Sequence, residues 1–214
     1  MLAMMLFTGN WPTSANSYNS YTLQACAWLE GRLDLGQDYS WLELARYNGK
    51  FYVSFPPFPS YVMLPFAALL GENTPDSIIA LCVTMLGVGY AMRLYRSIAG
   101  DGQGVFWVLF LYLGTGYIFI AMNGWVWFIA QTMCFTLSLM SLYHALRGQG
   151  GASLTLWACA VGCRPMTLLS LPVLLALLWR ARKPGTSLWA LVRSKWYWVI
   201  GPVLLGGSYM LLNW

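Results

Sequence analysis

The sequence predicts an all-α polytopic membrane protein, and three observations carry that expectation: composition, the length of its apolar runs, and the distribution of charge. Of 214 residues, 58% are hydrophobic and 9% charged, with a mean hydropathy of +0.56. That is more apolar surface than a soluble domain of this size hides, so a bilayer is the expected solvent. The net charge of +5 does not point to nucleic acid, because the basic residues lie between apolar runs and form no polar face.

A membrane-crossing helix needs about 20 mostly apolar residues. Residues 76–94, 105–122, 125–146 and 198–212 qualify as spans or near-spans. A fifth apolar stretch, 152–179, is interrupted by Arg164-Pro165, a cation beside a residue without a backbone donor. Short loops rich in Lys and Arg stay in the cytoplasm. One threading puts Arg93, Arg96, Arg147, Arg180, Arg182, Lys183, Arg193 and Lys195 inside. The same threading leaves Glu30, Asp34, Asp38, Glu43, Glu72 and Asp76 outside, with only Arg32, Arg46 and Lys50 as outer cations. The chain is therefore expected to cross a membrane several times, with these basic segments on the cytoplasmic side.

Because Arg147 and Arg180 flank the interrupted stretch and both belong inside, that stretch cannot cross once. It is expected to enter and return as two short helices of about 12 and 15 residues, with Arg164-Pro165 at the turn, as re-entrant segments do beside a polar cavity. One long tilted helix with a snorkelling Arg164 is the alternative.

The chain divides into an N-terminal stub with a large extracytoplasmic loop, 1–75, and a helical membrane domain, 76–214. Residues 1–7 are apolar but too short to span and lack a basic region, so they read as the stub of an earlier helix. Trp214 is expected at the outer end of a span, and the whole reads as a fragment or a shortened member of something longer.

Inside the loop, residues 16–32 predict an amphipathic helix on the membrane surface, ending at Glu30-Gly31-Arg32. Residues 41–47 and 50–55 flank Asn48-Gly49, the pair that best makes a two-residue hairpin turn. Pro56, Pro57 and Pro59 stop the second strand, and 61–70 is expected as a shallow helix returning to the bilayer.

The five cysteines predict no disulfide within the loop, where Cys26 is alone. Cys159 and Cys163 share a helix face and read as small packing residues better than as metal ligands. His144, near the inner end of its helix, reads as an interfacial residue. No zinc motif, phosphate-cradling glycine loop, serine nucleophile signature, internal repeat or low-complexity tract is present.

The run Leu33-Asp34-Leu35, then Glu43-Leu44-Ala45-Arg46-Tyr47-Asn48-Gly49-Lys50-Phe51-Tyr52-Val53-Ser54-Phe55-Pro56-Pro57-Phe58-Pro59, ending in Leu64-Pro65-Phe66, resembles the first outer loop of bacterial GT-C-fold glycosyltransferases. Cys163-Arg164-Pro165-Met166-Thr167 resembles the membrane core of the same superfamily. The resemblance implies a membrane glycosyltransferase that moves a sugar from a polyprenyl-phosphate carrier to a periplasmic acceptor. Such chemistry needs a carboxylate to take the acceptor's proton, cations for the phosphate, and aromatics for sugar and prenyl chain. Glu43, Asp38 and Asp34 are the candidate acids; Arg46, Tyr47, Lys50, Tyr52 and Arg164 are the candidate binding residues. No cofactor is certain, a divalent metal ion being the one that the resemblance leaves open, and membrane lipids or a partner membrane subunit are the further partners. Pairing of Glu43 with Arg46 or Lys50 across the hairpin is the purely structural alternative.

The family places an acid in the loop just after its first helix, yet residues 8–24 contain no Asp or Glu. Either the segment from Glu30 to Glu43 supplies the base, or the chain is inactive, or the missing groups lie in sequence outside it. A transporter or flippase of an anionic lipid-linked substrate is the second reading, since broken helices also build anion sites at the membrane midplane. A non-catalytic subunit of a larger membrane enzyme is the third.

Overall fold

The computed structural model describes residues 13, 15–182 and 193–212. The expectations placed on residues 1–7, on Lys183 and on Trp214 therefore lie outside the described residues. The chain is mostly helical, and two of its helices are long and apolar enough to cross a membrane.

The first helix, α1 (Ser20–Leu29), is shorter than the sequence pattern suggests, and it does not lie on a surface. Every residue from Ser20 to Ala25 is buried, against α2 (Phe58–Leu70). The surface-helix expectation failed because the polar residues of α1 read as a wet face, whereas each finds a distant partner. The Thr22 hydroxyl donates to Asp76 at 2.6 Å, and Ser60 Oγ donates to Gln24 Oε1 at 2.6 Å. A buried hydroxyl or amide satisfied in this way no longer opposes burial. The helix closes with two C-terminal bonds, Arg32 N–H to Ala27 O and Gly31 N–H to Trp28 O, the pairing that caps a helix ending in a left-handed glycine.

The hairpin forms where Asn48-Gly49 places it, with β1 (Leu44–Tyr47) antiparallel to β2 (Lys50–Val53) and Tyr47 opposite Lys50. Asn48 has φ +48° and Gly49 φ +77°, the two positive values that a type I′ turn requires. The strands are shorter than 41–47 and 50–55. Trp41 leaves the ladder to donate its indole N–H to Ser17 O at 2.9 Å, and Ser54 Oγ donates to Glu43 O at 2.7 Å. Leu44 and Val53 cover a small core of Leu23, Ala27, Leu35 and Leu42, which fixes the hairpin over α1.

The helical bundle follows. Helix α3 (Asp76–Ala99) packs along α6 (Val126–Leu146), and these are the two long apolar helices. Between them the stretch expected as one span, 105–122, is divided into α4 (Gly104–Leu113) and α5 (Tyr117–Ala121). The break falls at Gly114-Thr115-Gly116, where two glycines lower helix stability and Thr115 Oγ1 turns back to Leu111 O at 2.6 Å.

The interrupted stretch is a helical hairpin, the arrangement expected from its flanking arginines. Helix α7 (Gly150–Val161) runs back along α6, a 3-10 segment Pro165–Ser170 follows, and α8 (Leu171–Arg180) returns. Ser141 bonds Ser153 near one end of α6, Arg164 reaches Trp127 near the other, and Leu174 and Leu178 come back to Ala145. The turn at Arg164 therefore lies level with the first turn of α6, beside the start of α2, whose Phe58 N–H donates to Gly162 O at 3.0 Å. A turn part-way along the bundle, beside an internal polar cavity, is not what forms. Three residues of non-helical backbone, added to 12 residues of α7 that rise about 18 Å, carry the chain most of the length of α6. Helix α9 (Ile200–Leu212) closes the described bundle against α7. At the basic end, His144 Nδ1 lies 2.5 Å from Gln149 Oε1 and beside the Tyr90 and Tyr143 rings, a local helix-end contact.

Candidate functional site

The first turns of α3 and α6 and the turn at Arg164 meet under the loop segment 16–22. The mainstay is Asp76, the only charged residue that is buried among those described, at 2% exposure. Its Oδ1 accepts from Thr22 Oγ1 at 2.6 Å and its Oδ2 from Asn16 Nδ2 at 2.8 Å. It also opens α3, where unpaired N–H groups and the helix dipole favour an anion. The close fit requires Gly124 on the adjoining turn: a Cβ there would lie 2.5 Å from Ser77 N and 2.6 Å from Asp76 C. With both oxygens occupied and almost no exposure, Asp76 anchors the loop and is poorly placed to take a proton from a substrate.

Beside it, Tyr18 O accepts from Val126 N–H at 3.0 Å, which seats the Tyr18 ring against Trp125 and Trp127 with centroids 5.1 and 5.3 Å away. Arg164 completes this corner. It is extended, as a residue before proline tends to be, and its Nη2 donates to Trp127 O at 2.7 Å. Its Nε is enclosed and has no hydrogen-bond partner. A half-buried guanidinium bonded to the backbone of Trp127, whose ring packs on Tyr18, carries the planar fork that suits an oxyanion.

On the other side of the same turn, Gly162 and Pro165 line a cleft of about 290 Å³ floored by Ser54, Phe55, Pro56 and Pro57. It adjoins an almost wholly apolar groove of about 410 Å³ between α7 and α9, and the two share Val161 and Tyr209. The Arg164 side chain points to α6 and is not part of the lining of either.

The other sequence candidates are spread over the hairpin. Asp34 and Lys50 are brought together, Lys50 Nζ to Asp34 Oδ1 at 3.2 Å, and that bond holds the Asp34 carboxyl below its ordinary range. A carboxylate so occupied is a weak base. Arg46 lies over the Phe51 ring at 5.7 Å, so neither cation pairs with Glu43 and the cross-strand alternative does not form. Glu43 and Asp38 are exposed, with no hydrogen bond or ion pair to their carboxylates among the described residues. Of the three acids, Glu43 alone is tied to the cleft, through its carbonyl and Ser54. Tyr47 is 68% exposed and Tyr52 half-buried. No hydrogen bond or ion pair links Arg164 to Asp34, Asp38 or Glu43 among the described residues.

Sequence reading missed Asn16, Tyr18, Asp76 and Trp127. An acid in the first turn of an apolar helix looks like ordinary dipole compensation, and nothing local signals that Thr22 and Asn16, 54 and 60 residues away, will cover it. No group of three or more His, Cys, Asp or Glu that could hold a metal gathers among the described residues. Cys163 is buried in the main core and Cys134 Sγ lies 3.1 Å from Thr167 Oγ1, both as packing groups.

Compared with family models, with curated proteins and with solved structures, the chain gives no match.

Proposed function

We propose that the chain is a multi-pass membrane protein of the GT-C glycosyltransferase type, and that it handles a polyprenyl-phosphate-linked sugar at the hairpin end of the bundle, the periplasmic side. The observation that carries this reading is Arg164, a half-buried cation at the turn, bonded to the backbone of Trp127 in the Tyr18–Trp125–Trp127 corner. A shift of the Arg164 side chain toward the surface would free its planar fork to bind a phosphate oxygen at two points. The apolar groove between α7 and α9 has the character a prenyl chain needs, and it reaches the cleft beneath the hairpin. Membrane embedding is supported by the exposed Phe106, Trp107, Leu109 and Phe110 of α4 and Leu204, Met210 and Leu211 of α9, surfaces that water disfavours.

In this reading Glu43, exposed and adjoining the cleft through Ser54, is the candidate base, and Asp76 positions the loop. Asp34 and Lys50 fix the hairpin and do not touch substrate. The transporter reading loses its main argument, because an anion site at the membrane midplane needs the helix break part-way along the bundle.

Polyprenyl-phosphate binding to purified variants in nanodiscs tests the proposal. Arg164→Lys keeps the charge but loses the planar fork, and is expected to lower affinity at least tenfold while the fold survives. Glu43→Gln is expected to keep the lipid and lose sugar transfer. Lipid binding unchanged in both Arg164→Lys and Arg164→Met would end the phosphate-site reading.

A further inference from the structure

After Asp101 the sequence contains no acid, yet the fold gathers three of the cations that follow it around one turn at the basic end of the bundle. Arg147 follows α6, Arg180 ends α8, and Lys195 precedes the 3-10 turn Trp196–Val199 that leads into α9. Glycines bring these elements close. A Cβ on Gly148 would lie 3.5 Å from the Ala181 Cβ, and one on Gly150 would enter the Trp198 ring. The turn between α6 and α7 is therefore seated against the end of α8 and the approach to α9. Trp198 packs on the cluster of Ala145, Leu154, Leu174 and Leu178, and Lys195 Nζ lies 5.8 Å from its ring.

None of Arg147, Arg180 and Lys195 is in an ion pair among the described residues, whereas Arg96, at the same end on α3, pairs with Asp101 at 3.2 Å. Arg147 and Arg180 are exposed and Lys195 is half-buried. Like charges held together repel, more strongly where water is scarce, so this corner calls for anions that the chain does not supply. Amphipathic rings surround it. Trp179, Trp196 and Tyr197 are exposed, and the Arg182 guanidinium lies over the Trp179 ring at 3.6 Å. Tryptophan and tyrosine favour the boundary between membrane and water. Next along α8 and α9 the exposed side chains are apolar, at Leu175, Ile200 and Val203. Cations, then amphipathic rings, then apolar side chains is the order a phospholipid meets from headgroup to acyl chain.

We propose that this corner holds the phosphodiester headgroup of an anionic phospholipid, with Arg147, Arg180 and Lys195 around the phosphate and the acyl chains along α8 and α9. The two guanidinium groups meet a phosphate by a planar fork and the ammonium meets it as a point charge, and basic clusters beside membrane helices select anionic lipids in this way. The site is distinct from the Arg164 corner, which lies at the opposite end of α6. It needs the membrane embedding proposed above and is independent of sugar transfer.

Native mass spectrometry of the full chain tests this, with the protein released from micelles that contain phosphatidylglycerol and phosphatidylcholine in equal amounts and with the same acyl chains. Each cation beside an anionic headgroup is worth about fivefold in binding, so the wild type should retain phosphatidylglycerol over phosphatidylcholine by about tenfold or more. Arg147→Gln and Arg180→Gln should each lower that preference by about fivefold. Arg96→Gln, which removes the same charge from the same end at a cation that Asp101 already pairs, should leave it unchanged. Equal retention of the two lipids, or a preference that survives Arg147→Gln and Arg180→Gln combined, overturns the proposal. So does an equal loss in Arg96→Gln, which would reduce the effect to net charge. Loss of the preference on adding inorganic phosphate at the concentration of the lipid would make the ligand a free phosphate and overturn it too. Retention of neither lipid would overturn membrane embedding as well, which separates failure of the site from failure of that premise.

Discussion

At Asp76, two hydrogen bonds from the loop make a carboxylate tolerable in a place where almost no water reaches it. Thr22→Val is therefore expected to lower stability by about 1–3 kcal/mol, since the buried oxygen loses its donor, while Thr22→Ser is expected to restore most of the loss. Thermal unfolding of the three proteins side by side is the measurement, and equal midpoints for the valine and serine variants would contradict the role given to this bond. The Asp34–Lys50 pair behaves differently because Lys50 is exposed and Asp34 partly so. Lys50 depresses the Asp34 pKa from 3.8, so the tether is fully formed above that value and is lost as pH falls below it through the depressed folded-state value. Asp34→Asn should reproduce at neutral pH the loosening that acid causes in the wild type, read as faster limited proteolysis at Lys50, with no change in the midpoint of the bundle. How differently the two acids announce themselves in sequence follows from the same physics. Asp34 lies 16 residues from Lys50, in a segment that meets β2 through Leu35 N–H to Phe51 O, whereas Asp76 is satisfied by residues that the folded chain brings from 54 and 60 positions away.

At the level of elements, local signals were read correctly wherever a backbone conformation is demanded by one or two residues. Asn48-Gly49 does this for the hairpin, and Arg164-Pro165 for the break between α7 and the 3-10 segment. Replacing Gly49 by valine forces a β-branched residue to φ +77° and is expected to cost about 1–3 kcal/mol, whereas Asn48→Asp at φ +48° should be mild. The check is the rate of proteolytic nicking between β1 and β2, which should rise steeply only for Gly49→Val. Signals failed where tertiary partners decide. The run 105–122 is continuously apolar, and hydropathy alone does not register that Gly114 and Gly116 divide it. The polar residues of α1 suggested a wet face, yet Asp76 and Ser60 draw them inward. Of the candidate site, Arg164 was legible because a cation inside an apolar run is costly, and the aromatic cluster at the same corner was not, since Tyr18, Trp125 and Trp127 are unremarkable until Val126 N–H binds Tyr18 O.

At the scale of the molecule, acids gather at one end of the bundle and arginines at the other, with Arg32, Arg46 and Lys50 the exceptions at the first end and Asp101, paired with Arg96, at the second. The hairpin, with Asp34, Asp38 and Glu43, sits at the end where α3 and α6 begin; Arg93, Arg96, Arg147 and Arg180 sit where α3, α6 and α8 finish. If the bundle crosses a bilayer, the positive-inside rule puts the second end in the cytoplasm, and the hairpin outside. The helical hairpin of α7 and α8 is consistent with this, since both of its ends lie at the basic side and its turn at the other. Single cysteines at Ser40 and at Gln103, each in a chain whose five native cysteines are changed to alanine, probe the two ends at exposed positions. In intact cells a membrane-impermeant maleimide should label the cysteine at 40 and leave that at 103 untouched until the membrane is permeabilised. Labelling of 103 alone would invert the orientation and remove a periplasmic acceptor from consideration. Labelling of both before permeabilisation would mean that α3 and α6 do not separate two compartments, and the pair of long apolar helices would then be the core of a bundle that does not span.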